Sequence, residues 1–72
     1  MRAIFLNKYF DGKYNYYDLS FEELVDDNNE VLLRLNGVIF EGDPTTEEEE
    51  ARAREIAFNN LPDYELTEIV TL

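Results

Sequence analysis

The sequence predicts a small α+β domain of two layers, a mixed β-sheet of four to five strands with one main helix on one face. Three observations carry this. Runs rich in Tyr, Phe, Val, Ile and Leu are punctuated by turns containing Gly, Asn and Asp. One long segment, Thr46–Asn60, opens on a capping signal and keeps an apolar stripe at helical spacing. The length, 72 residues, sets one domain, 1–72, and a composition of 44% hydrophobic and 14% aromatic residues can fill a small core.

The elements follow in order. Arg2–Phe10 reads as a strand. Asp11-Gly12 is a favoured hairpin turn, because Gly accepts positive φ without steric cost. Lys13–Leu19 returns as a tyrosine-rich strand, with Tyr14 and Tyr16 on one face and Asn15 and Tyr17 on the other. Ser20-Phe21-Glu22-Glu23 has the form of a capping box, with Leu19 and Leu24 at the staple positions, and predicts one or two helical turns ending near Asp26. Asp26–Asn29 is then a turn. Glu30–Leu35 is a strand, Asn36-Gly37 a hairpin signal, and Val38–Glu41 the returning strand. One long strand with a bulge at Gly37 is the alternative.

Gly42-Asp43-Pro44 breaks the sheet pattern. Thr45 or Thr46 can cap the main helix, each with a Glu three residues later. Glu47–Glu50 occupy the positive end of the helix dipole. Glu48–Arg52 and Glu50–Arg54 are i,i+4 pairs, each worth about 0.2–0.5 kcal/mol. Ala53, Ile56, Ala57 and Leu61 form the inward stripe, and Pro62 stops the helix. Tyr64–Leu72 is a last strand with Leu66, Glu68, Val70 and Leu72 on one face. The last two strands, joined by a helix, are expected to be parallel and paired directly or one strand apart. The predicted core is Ile4, Leu6, Leu24, Leu33, Leu35, Phe40, Ile56, Ala57, Leu61, Leu66 and Val70.

Composition narrows the function. Seventeen Asp and Glu against six Lys and Arg give a formal charge of −11, and His and Cys are absent. Without them the usual base, thiolate nucleophile and transition-metal ligands are missing, so neither catalysis nor a cofactor is expected. Asp26–Glu30 superficially follows the opening of a calcium loop, but Val31 stands where Gly is needed and Gly37 where Glu is needed, so no metal site is expected. The negative charge disfavours direct binding to nucleic acid or anionic membrane. The apolar start Ala3–Leu6 falls short of the about 7–15 residues of a signal peptide. A secreted scaffold of this size usually carries several cysteines, so the expected location is cytoplasmic.

The charge itself is the informative feature. Solubility is served by a magnitude of about 2–8, and self-repulsion beyond that destabilises a small fold. An excess this large points to use, as steering toward a basic surface. The candidate partner-binding residues are Glu41, Asp43, Glu47 and Glu48 around the helix N-terminus and Asp26 and Asp27 as a second patch. Tyr14 and Tyr16 join them, because five tyrosines on strands cannot all point inward and exposed Tyr favours binding hot spots. The competing expectation is an interaction or oligomerisation module, including a homodimer, in which the strand edge at Ile69–Leu72 pairs with another chain.

In size, charge and lack of catalytic residues, the chain resembles the small acidic inhibitor proteins encoded by bacteriophages, a class that includes DNA mimics and anti-CRISPR proteins. The resemblance covers this overall character and the β-α-β plan of Val38–Leu72. It implies a non-enzymatic inhibitor whose carboxylates stand in for phosphates and occupy the groove of a nucleic-acid-binding protein.

Overall fold

A computed structural model describes residues 1–72. The elements are β1 (Arg2–Phe10), β2 (Tyr14–Val25), β3 (Asn28–Glu41), α1 (Thr46–Asn60) and β4 (Glu68–Thr71). They form one four-stranded sheet in the order β3-β2-β1-β4, with α1 against one face. β1–β2 and β2–β3 are antiparallel and β1–β4 is parallel. The fold is thus α+β, with a mixed sheet and a single helix.

Two local expectations are corrected. Ser20–Asp26 is not helical, because β2 runs unbroken through Val25. The segment satisfies period 2 as well as the capping pattern. Leu19 and Phe21 point to the helix side and are buried, while Ser20 points the other way between Ile4 and Arg34. Pairing to strands on both sides outweighs one capping box, which would satisfy only two donors. The hairpin reversal is therefore Asp26-Asp27, whose φ values of 49° and 64° fit a type I′ turn. Asn36-Gly37 is not a hairpin, and the single long strand with a bulge at Gly37 (φ 73°) is what forms.

Asp18 explains why the bulge sits there. Between Tyr17 and Leu19 the partner strand runs from Val38 to Leu35, so β3 carries one extra residue. On the other side β1 carries one extra residue between Leu6 and Tyr9, with Asn7 at φ 55°. The Asp18 carboxylate accepts from Asn7 Nδ2 at 3.0 Å and from the Gly37 N–H at 3.3 Å. Arg34 lies 3.7 Å away. The Asn7 bond, followed by Gly37 and the Arg34 charge, holds this carboxyl below its ordinary range. One side chain thus fastens bulges on both neighbouring strands, where bulges bend and twist a sheet.

The position of the last strand is a third correction. β4 pairs with β1, so β3 and β4 run parallel but occupy opposite edges with two strands between them. β4 is also shorter than expected, and its parity is opposite. Ile69 packs with the core under α1, whereas Val70 lies beside Ile4 on the open face.

The core under α1 comprises Met1, Ala3, Phe5, Tyr17, Leu19, Phe21, Phe40, Ala53 and Ala57. Phe5, Tyr17 and Phe40 meet edge to face at centroid distances of 5.2–6.1 Å. Of the predicted core, Ile4, Phe40 and Ala57 are buried, and Leu6, Leu33, Leu35, Ile56, Leu61, Leu66 and Val70 are half-buried. Leu24 is overturned: it is 67% exposed, because β2 there has outrun β1.

Thr45 is the N-cap of α1. Its hydroxyl accepts from the Glu48 N–H and the Glu48 carboxylate accepts from the Thr45 N–H, both at 3.2 Å. Alanines 53 and 57 let the helix sit close to the sheet. Glu50–Arg54 forms at 3.6 Å, but Glu48–Arg52 does not. Arg52 instead donates to the Ile39 carbonyl at 2.9 Å and stacks on Phe40, 4.6 Å from its centroid. Glu49 differs from Glu47 and Glu48, which are exposed. It is 7% exposed and faces the Tyr17 hydroxyl. Burial first, and then that carboxylate, push the Tyr17 phenol up to about 12.

Candidate protein-binding surface

The predicted residues fall at two ends of one long hairpin. Tyr14 pairs with Glu41 at one end of β2–β3, and Val25 with Asn28 at the other. Twelve residues of β2 separate these ends by roughly 36 Å at 3.3 Å per residue, against a longest molecular dimension of 41 Å. Glu41, Asp43, Glu47, Glu48, Tyr14 and Tyr16 belong to the first end, where β3 leads into α1. Asp26 and Asp27 are alone at the second. The two patches do not form one face.

The first end is partly neutralised from within. Asp43 sits 3.5 Å from Lys8 Nζ and accepts from Asn15 Nδ2 at 3.2 Å. Asn15, buried, also donates to the Gly42 carbonyl at 2.6 Å and so pins the loop before the helix. Lys13 lies 5.1 Å above the Tyr14 ring. Lys8, Phe10, Lys13, Asn15, Gly42 and Asp43 line an open cleft of about 350 Å³. Glu48 is committed to capping, while Glu41 and Glu47 are exposed and free of cations. Tyr14 and Tyr16 are half-buried, and the Tyr16 hydroxyl donates to Asp11 at 2.7 Å.

The second end is bare. β1 last touches β2 at Arg2–Glu22, so beyond Glu22 the only strand beside β2 is β3. This overhang carries Asp26, Asp27 and Glu30, all exposed and none paired with a cation. Leu24, Val25 and Val31, all large exposed apolar residues, flank them. At its base, Glu23 lies 3.6 Å from the Met1 ammonium. Sequence reasoning found the two aspartates but missed the exposed aliphatics, because it folded Leu24 into a helix. The available signal was the alternation Leu19-Ser20-Phe21-Glu22, which continues the strand.

Across the chain, five of the 17 carboxylates contact a cation (Asp18, Glu22, Glu23, Asp43 and Glu50), leaving 12 without one. No group of three carboxylates is placed to hold a metal ion. No helix is long and apolar enough to cross a membrane. β4 does lie at a sheet edge, but offers only four residues. The β3 edge carries bulges at Gly37 and Leu32, and Arg52 occupies its Ile39 carbonyl, devices that discourage strand addition. Comparison with family models, with curated proteins and with solved structures finds no match.

Proposed function

We propose that the protein is a non-enzymatic binding protein that inhibits or regulates a basic, nucleic-acid-binding partner, and that the β2–β3 overhang is its leading contact. The observation that supports this is the pairing of unneutralised charge with exposed apolar surface on one protruding ribbon. Carboxylates alone give steering and solubility, and exposed aliphatics add burial that holds a complex. A narrow two-stranded ribbon suits a groove. Carboxylates in a groove built for phosphate would exclude nucleic acid by occupation and by charge, in the manner of the phage inhibitors that the sequence resembles.

The test removes charge without breaking the turn. Asn tolerates positive φ as Asp does, so Asp26→Asn with Asp27→Asn keeps the hairpin. Partners captured from a lysate at low salt are identified and titrated across a salt series against wild type and this variant. The reading predicts a basic partner, competition by nucleic acid, and affinity that falls steeply with salt. The variant binds about tenfold more weakly at low salt and with a shallower salt slope. Affinity that ignores both salt and the double substitution overturns the reading.

A further inference from the structure

On the sheet face away from α1, Tyr9 and Tyr16 are cross-strand partners whose rings lie 5.3 Å apart with a 32° tilt. Tyr9 is 60% exposed, and Ile39, opposite Tyr16 on β3, is 48% exposed. Asp11 stands at the margin of this platform and is rigidly held. One of its oxygens accepts from the N–H groups of Lys13 and Tyr14 at 2.9 and 2.7 Å, and the other from the Tyr16 hydroxyl. The Tyr14 amide bond, then the Tyr16 hydroxyl, keep this carboxyl below its ordinary range, so it is ionised at neutral pH.

The chain's own cations are spent elsewhere. Three of its six basic side chains lie over aromatic rings: Lys8 over Tyr17, Lys13 over Tyr14 and Arg52 over Phe40. None lies over Tyr9 or Tyr16, and none pairs with Asp11. An aromatic pair of one exposed ring, Tyr9, and one half-buried ring, Tyr16, beside a carboxylate with no cation partner, on a chain of charge −11, is complementary to a cation. Guanidinium fits better than ammonium. It is planar and weakly hydrated, stacks on a ring face, and keeps N–H donors in that plane for the neighbouring carboxylate.

We propose that Tyr9, Tyr16 and Asp11 form a seat for an arginine side chain of the partner. The guanidinium stacks on Tyr9 and donates to the Asp11 oxygen that also receives the Tyr16 hydroxyl. The inference rests on the reading that the partner is basic. It adds a second contact, at the end of the hairpin opposite the overhang, and names the residue type that fills it.

The probes are a hexa-arginine and a hexa-lysine amide, titrated into the full chain and followed by the NMR ring signals of Tyr9 and Tyr16. Arginine should bind more tightly than lysine and move both sets of ring signals. Tyr9→Leu, with circular dichroism as folding control, should weaken arginine binding about fivefold to tenfold and lysine binding by less than about twofold. Asp11→Asn should lower arginine affinity in the same direction. Unchanged arginine affinity in Tyr9→Leu, or equal affinity for the two peptides in wild type, overturns the seat. The Asp26→Asn, Asp27→Asn variant separates the two readings. If it weakens both peptides while Tyr9→Leu weakens neither, the overhang stands and the seat falls. If arginine preference vanishes only in Tyr9→Leu and the overhang variant binds as wild type, the seat stands and the overhang falls.

Discussion

Along β2, Tyr17, Leu19 and Phe21 are buried, while Leu24 and Val25, a few residues further on, are exposed. The strand, its partner β3 and the residue types hardly change between the two stretches. What changes is the company. Up to Glu22, β2 has β1 on its other side and α1 above it. Beyond Glu22 it has neither. The β2 side chains that face α1 are buried, and the overhang, which neither β1 nor α1 covers, leaves three aliphatics available for a partner. The same contrast divides the charges, since the cations cluster on the body and none reaches the tip.

The contrast predicts the largest difference from two truncations on the one strand. Phe21→Ala should cost about 3–5 kcal/mol, a large share of the roughly 5–15 kcal/mol that holds a small domain. Leu24→Ala should stay within about 0.5 kcal/mol. Urea unfolding of both measures this. Similar losses would mean that the overhang is packed in solution.

A smaller effect should appear in alkali. Tyr17 is buried in the body with a pKa of about 12, above its ordinary 10.0. Folding therefore favours the neutral phenol. That stabilisation is whole below pH 10.0 and is lost as pH rises toward about 12. Stability should fall through this window. In Tyr17→Phe the Tyr17 contribution to that slope disappears, whatever the substitution costs at neutral pH. A slope that is unchanged in the variant would assign alkaline unfolding to other groups.

The smallest effect concerns the unneutralised charges. Raising salt to about 0.5 M shortens the range of repulsion to about 4 Å, so the melting temperature should rise. About 0.5 kcal/mol of relief corresponds to roughly 2–4 °C in a domain this size. A flat or falling melting temperature would show that attractive pairs such as Glu50–Arg54 outweigh the repulsion.

The sequence was most legible where a signal had a single reading. The helix bounds Thr46–Asn60 follow from residues that suit nothing else, while the cap had two candidates, Thr45 and Thr46, of which Thr45 with Glu48 forms. Ser20–Glu23 reads as a cap, but the same residues also satisfy strand alternation, and it is pairing with β1 and β3 that makes them a strand. The β1 run Ala3-Ile4-Phe5-Leu6 hides its parity because every residue is apolar. Phe5 faces the helix, yet Ile4 is buried on the other side. Glu49 was invisible within four identical residues, since its burial depends on Tyr17 standing opposite. Of the candidate surface, the carboxylates were legible from composition. The Tyr9–Tyr16–Asp11 grouping was not, because the extra residue in β1 after Leu6 sets which tyrosines share a face.

The pairing of β4 with β1 has a consequence in time. Thr67 donates to the Met1 carbonyl at 2.9 Å and Leu72 to that of Phe5 at 2.9 Å, joining residues more than 60 positions apart. The β1–β2–β3 meander closes through local reversals, on the scale of about 1–10 μs per hairpin. The fourth strand cannot register until the helix has formed and crossed the sheet, and such distant pairing is the slow kind. Until then Ala3, Phe5 and the other side chains beneath α1 face water, and one side of β1 is an open template. The helix crossing and the four-residue strand that ends it are therefore the expected closing step of folding, and aggregation is expected to compete most in the interval before it.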